Sequence, residues 1–179
     1  MSFAAGITRC PLPHDPEAGA EAAALLPGQP PETVEVLRGA AGCSPHLRGL
    51  MTRERDWLDG ALGEAPDTVA PALLAETEAL EDAALADGLR RVKRRLALYA
   101  GLADLAGVWP LETVTRALTD FADRAVDRAL KAALAPHLAR GKVPGHGEGD
   151  IDDAAGMVAL AMGKMGAFEL NYSSDIDLI

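Results

Sequence analysis

Two aspartates two residues apart, Asp175 and Asp177, lie in the stretch Met157–Ile179, MVALAMGKMGAFELNYSSDIDLI. On an extended backbone, side chains alternate faces, so both carboxylates fall on one side while Ile176 and Leu178 fall on the other. Such a pair is an oxygen-rich donor set suited to Mg²⁺, which binds carboxylates together with substrate phosphates. Upstream, the apolar run Met157–Met162 reads as a first strand and Gly163–Gly166 as a glycine turn, with a second strand opening at Asp175. Glycine directly after a strand lets the backbone approach a phosphate and offer N–H donors with no Cβ in the way. Together these features suit metal-assisted transfer of a nucleotidyl group. An Asp-x-Asp alone is common surface decoration, so the specificity rests on the longer string.

That string is Gly163-Lys164-Met165-Gly166, then Glu169-Leu170-Asn171, then Ser173-Ser174-Asp175-Ile176-Asp177-Leu178-Ile179. It resembles the nucleotidyltransferase signature of the glutamine synthetase adenylyltransferase/adenylyl-removing enzymes, large bacterial proteins with two similar nucleotidyltransferase domains. The basic stretch RRVKRRLALYAGLADLAG and the Ser44-Pro45 helix start resemble the same family. The resemblance implies that Asp175 and Asp177 are metal ligands and catalytic residues. It places a third carboxylate on a later strand, beyond Ile179, so that residues 1–179 alone are expected to be inactive. It matches Gly163 and Gly166 to the glycine turn. Lys164 could neutralise phosphate charge, and Asn171 shapes the turn. Ser173 and Ser174 could meet phosphate oxygens or simply form the turn.

With the motif after a leader of about 155 residues, the resemblance points to the first of the two domains, the adenylyl remover. The implied reaction is phosphorolysis: phosphate attacks the adenylyl phosphorus on a tyrosine of glutamine synthetase, the tyrosine leaves, and ADP is the product. Implied partners are glutamine synthetase, phosphate, ADP and ATP, and the PII regulatory protein, with Mg²⁺ as cofactor. Three alternatives stand beside this reading. A PII-type uridylyltransferase shares the Ser-Asp-Ile-Asp-Leu core, but its turn carries an arginine between glycines and a proline before the serine. A small-molecule nucleotidyltransferase places its motif early. A helical protein-docking module could end in a vestigial motif.

The elements that must position these residues are helical. The expected fold class is mainly α: a helical array followed by the first two strands of an α/β nucleotidyltransferase fold. Residues 1–14 lack periodicity and are expected to be an extended, partly mobile lead-in. Residues 15–140 are the helical region, 141–153 a glycine-rich connector, and 154–179 the start of the nucleotidyltransferase domain. Helix starts are read at Asp15-Pro16, Pro31, Ser44-Pro45 and Leu111, where proline suits the first turn. Pro45–Leu62 is read as one helix with Leu47, Leu50, Met51, Leu58 and Leu62 inward. About 71 to 106 reads as one long helix or two nearly continuous ones, with Leu85, Leu89, Val92, Leu96, Tyr99 and Ala103 on one face. Arg90, Arg91, Lys93, Arg94 and Arg95 spread over the opposite side, either as a solvated face or, in part, toward the nucleotidyl site. Trp109 is read as the plug of a helix junction, His46 as a solvent-facing residue, and Pro136 as a kink or stop.

Composition bounds the function. Alanine and leucine dominate and aromatics make up only 4%, which favours packed helices over a β-sandwich. Seventeen basic against 27 acidic residues give a formal charge of −10, which speaks against a nucleic-acid-coating surface. Cys10 and Cys43 lack metal-type spacing and read as reduced thiols of a cytoplasmic protein. No apolar run approaches the ~20 residues of a membrane helix, so no membrane partner is expected. His146, Glu148 and Asp150 lie among glycines, where a flexible boundary is the better reading than a metal cluster.

Overall fold

The computed structural model describes residues 2–179. The helices are α1 (Phe3–Gly6), α2 (Pro16–Ala23), α3 (Pro31–Cys43), α4 (Pro45–Arg53), α5 (Arg55–Gly63), α6 (Pro66–Glu78), α7 (Leu85–Leu105), α8 (Leu111–Ala139) and the single turn α9 (Gly163–Gly166). The proline starts hold. Asp15 Oδ1 accepts the Ala18 N–H at 3.0 Å, and Ser44 Oγ accepts the Leu47 N–H at 3.2 Å, each satisfying a first-turn donor. Pro31 and Pro66 sit in the first turns of α3 and α6. Pro71 lies inside α6, and the long stretch is two helices parted by a 3₁₀ turn at Asp82–Ala84. Pro136 falls in the last turn of α8, which runs on to Ala139.

α7 is the centre of the array. Leu98, Tyr99, Ala100, Gly101, Leu102 and Ala103 are all buried in succession, which is possible only for a helix enclosed on every side. The inward stripe of α4 and α5 is buried as its spacing predicts, through Leu47, Leu50, Met51, Leu58 and Leu62. Trp109 is buried and packs on Tyr99, ring centroids 5.3 Å apart.

The N-terminal segment departs from the expected mobile lead-in. Phe3 is fully buried and meets Tyr99 edge-on, centroids 5.6 Å apart. Residues 8 and 9 then lie across the end of α7. The Thr8 and Arg9 N–H groups donate to the Ala106 carbonyl at 3.0 and 3.2 Å, and Arg9 Nε donates to the Leu105 carbonyl at 3.2 Å. These carbonyls have no partner within the helix, so the segment is fixed by capping rather than by periodic burial. The connector also folds back. Val143 and Ile151 pack with Leu130, Leu134 and Leu138 of α8 in a second, small apolar cluster.

The single helix expected over Pro45–Leu62 is two, broken at Glu54. Glu54 is only 7% exposed. Its Oε1 accepts from Arg94 Nε at 2.9 Å and its Oε2 from Arg95 Nε at 3.1 Å. Arg95 Nη1 also reaches Glu76 Oε2 of α6 at 3.3 Å and stacks over Trp57, while Arg91 Nε and Nη2 donate to Glu76 Oε1. Three arginines read as belonging to a solvated face are therefore held in a network joining α4, α5, α6 and α7.

Two stability outcomes follow. Glu54→Ala leaves two guanidinium groups facing an emptied buried site. The expected loss is roughly 2–4 kcal/mol, near the lower end for a broken buried pair because the arginines are partly solvated. Chemical denaturation measures it. Tyr99 Oη is buried without a partner among the described residues, so Tyr99→Phe removes an unsatisfied hydroxyl. That change is expected to be neutral or to stabilise by up to about 1 kcal/mol in the same assay.

Candidate active site

The motif segment is not carried on strands; the described residues form none. What forms is one antiparallel pairing of 160–162 with 177–179. The Leu160 N–H donates to the Ile179 carbonyl at 2.8 Å, the Ile179 N–H to the Leu160 carbonyl at 3.1 Å, and the Met162 N–H to the Asp177 carbonyl at 3.0 Å. A two-stranded pairing is marginal without further strands or a covering helix, which is why it stays short. The apolar run read as a first strand is largely exposed, with Val158 at 76%.

Between these paired ends, residues 163–176 dock on the helices. Met165 and Leu170 are buried. The Phe168 ring lies 4.6 Å beneath the Arg116 guanidinium of α8 and adopts a left-handed backbone, φ 58°, a conformation costing about 1–2 kcal/mol outside glycine. Tyr172 Oη reaches Asp104 Oδ2 at 3.5 Å. Partial burial and that carboxylate raise the Tyr172 pKa well above its ordinary value, so it remains a neutral phenol.

The two motif glycines have distinct backbone reasons. Gly163 opens the turn at φ 57°, where a side chain is strained. At Gly166 a β-carbon would collide with the Ala161 carbonyl oxygen, so this glycine allows the turn to close on the preceding segment. The hydroxyls of Ser173 and Ser174 both donate to Asn171 Oδ1, at 3.3 and 2.9 Å. The Ser173 N–H also donates to that oxygen, at 3.1 Å. Of the two roles open to the serines, this structure uses them in the turn, with Asn171 as its hub.

Asp175 borders a cavity of about 340 Å³ between the motif and helices α7 and α8. Its floor is apolar, with Leu89, Leu96, Leu118 and Phe121. Its rim carries Arg90 and Lys93 on one side and Tyr172, Ser174 and Asp175 on the other. Asp177 and Ser173 lie outside this cavity, and Lys164 lines a different cleft with Glu112, Arg116 and Phe168. The structure thus brings Ser174 and Asp175 together with two cations from α7, and does not bring Lys164 to them. The carboxylates of Asp175 and Asp177 make no ion pair or hydrogen bond among the described residues. Two unengaged carboxylates two residues apart fit part of a Mg²⁺ donor set, but no group of three metal-capable side chains occurs among the described residues. That statement covers His146, Glu148 and Asp150 as well; there, Asp150 instead accepts the Gly147 N–H at 2.7 Å.

A family model described as glutamate-ammonia ligase adenylyltransferase matches residues 34–179. The chain belongs to that family. A relative from Rhodopseudomonas palustris, named bifunctional glutamine synthetase adenylyltransferase/adenylyl-removing enzyme, is 40% identical over 165 residues, 89% of this chain and 17% of its own length. Proteins of the same name from Bradyrhizobium diazoefficiens and Caulobacter vibrioides are each 44% identical, over 80% and 75% of this chain and 15% and 14% of theirs. The chain therefore spans about one-sixth of the length of the curated relatives it matches. No solved structure matches it. Membership in this adenylyltransferase family bears out the resemblance read in the motif over the uridylyltransferase alternative. No helix of the described residues is long and apolar enough to cross a membrane.

The role of Gly166 can be tested locally. Gly166→Ala should displace the turn and cost about 1–3 kcal/mol of local stability, in the manner of an overpacked contact. Hydrogen exchange should then show lost protection over 160–170 with α7 unchanged.

Proposed function

We propose that this chain supplies the helical platform and the opening motif of a nucleotidyltransferase site that removes AMP from adenylylated glutamine synthetase. The observation that carries the reading is the Asp175–Asp177 pair, unengaged by other side chains, within a motif of a chain 40% identical to a named adenylyltransferase/adenylyl-removing enzyme. The resemblance assigns removal to the first of the two similar domains. The protein partner is glutamine synthetase, with inorganic phosphate as co-substrate, ADP as product, ATP at the companion domain and the PII protein as regulator.

In this reaction a phosphate oxygen forms a bond to the adenylyl phosphorus as the bond from phosphorus to the tyrosine oxygen breaks. The electron pair leaves with the phenolic oxygen, which takes up a proton. Asp175 and Asp177 would hold Mg²⁺, whose charge offsets that of the phosphate oxygens. The chain's own part is positional. The Asn171–Ser174 turn sets where Asp175 begins, and Leu170 and Tyr172 hold that turn against α7 and α8. A neutral Tyr172 adds no negative charge beside the phosphates.

Asp175→Asn or Asp177→Asn, made at the full length of the relatives, should lower phosphate-dependent ADP release by on the order of a hundredfold or more, with the helical circular dichroism unchanged. Near-normal release by either variant would remove these residues from the mechanism. An unmutated full-length protein that binds glutamine synthetase but releases no ADP would favour the docking-module reading.

A further inference from the structure

The basic run of α7 carries five positive charges in a short span, and the structure divides them. Arg91, Arg94 and Arg95 are committed to Glu54 and Glu76 on one face. Arg90 and Lys93, three residues apart, occupy the adjacent stripe and border the cavity that Asp175 borders. Lys93 makes no ion pair among the described residues. Arg90 has only Asp87, in a pair whose side chains are 70% and 94% exposed, and such pairs hold their partners weakly. The cavity thus has an apolar floor, two available cations on one rim, and a carboxylate and a hydroxyl on the other.

We propose that Lys93 and Arg90 bind the phosphate groups of the nucleotide handled at Asp175, with the apolar floor of the cavity taking up its less polar part. This rests on the proposed function and extends it, because it makes α7 of the helical array a wall of the nucleotide site. A cation opposite a metal-binding carboxylate lets a phosphate bridge the two sides. Lysine can serve as a point charge there, and arginine can donate in a fork. The charges left over after the arginine network is satisfied are those that face the cavity. A run meant only to be solvated has no need of this division.

The test is the affinity of the full-length protein for ADP in MgCl₂, measured by titration calorimetry at two salt concentrations. Lys93→Met, which keeps the stem and removes the charge, should weaken ADP binding about tenfold, the size of one charge-assisted contact. The loss should shrink at high salt, and Lys93→Arg should restore most of the affinity. Arg140→Met removes the same charge at an exposed position outside both the arginine network and the cavity and should leave ADP affinity within about twofold. Unchanged binding by both Lys93→Met and Arg90→Met, in a protein that itself binds ADP and releases it, overturns this inference while leaving the proposed function standing. Equal weakening by Arg140→Met and Lys93→Met also overturns it, since the effect would then be the general field of the protein. A protein that neither binds ADP nor releases it overturns both readings together.

Discussion

A buried carboxylate must be met by charge, and Glu54 shows how much of this array answers to that requirement. Taking an anion out of water costs several kcal/mol unless opposite charge and hydrogen bonds compensate. Here both oxygens of Glu54 are met, one by Arg94 and one by Arg95. Arg95 is in turn shared with Glu76 and laid over Trp57. One residue thereby ties the junction of α4 and α5, and through Glu76 the helix α6, to the N-terminal half of α7. The C-terminal half of α7 needs no such device, because from Leu98 to Ala103 it is enclosed by apolar neighbours. The ionic half orients the helix about its axis, and the apolar half fixes its depth.

Orientation about the axis matters because α7 turns 100° per residue. Once residues 91, 94 and 95 point toward Glu54 and Glu76, residues 90 and 93 must point to the neighbouring stripe. That stripe faces the motif segment. The buried network therefore reaches the candidate site without touching it, by deciding which charges are left for the cavity. A change that loosened the Glu54 contacts would permit the helix to roll and would redistribute those charges.

Much of this was legible in the residues. Proline with a preceding serine or aspartate marked α2 and α4, and the leucine stripes marked what would be buried. The break at Glu54 was missed, although the signal was present. In the series Leu47, Leu50, Met51, Glu54, Leu58, the glutamate stands on the apolar stripe itself, where a charge requires a partner elsewhere in the chain. The order of Phe3 could not be read from periodicity, because the segment is held by the unpaired carbonyls at the end of α7 and by the Tyr99 ring, distant in sequence. The Asp-x-Asp segment was read as the opening of a second strand, which the described residues do not form. Strand formation depends on neighbouring strands, and only the pairing of 160–162 with 177–179 is present among the described residues.

The docking of the motif bears on how the helical array and the chemistry are related. A platform that merely recruited a protein would have no reason to grip residues 165–172 at several places. Yet Met165 and Leu170 are buried, Phe168 lies under Arg116, and Tyr172 reaches Asp104 near the end of α7. Phe168 even holds a left-handed backbone to make its contact, and such conformations persist where the surroundings over-determine them. Asp175 follows directly from this held segment, and the turn between is closed by Asn171 and two serine hydroxyls. The position of one catalytic carboxylate, on the proposed reading, is thus set by the helices rather than by a sheet. The same helices present Arg90 and Lys93 to it across the cavity. Carboxylate and cations then share one frame, which is what a site needs if it is to hold a phosphate between them without rearranging as the charge on that phosphate shifts.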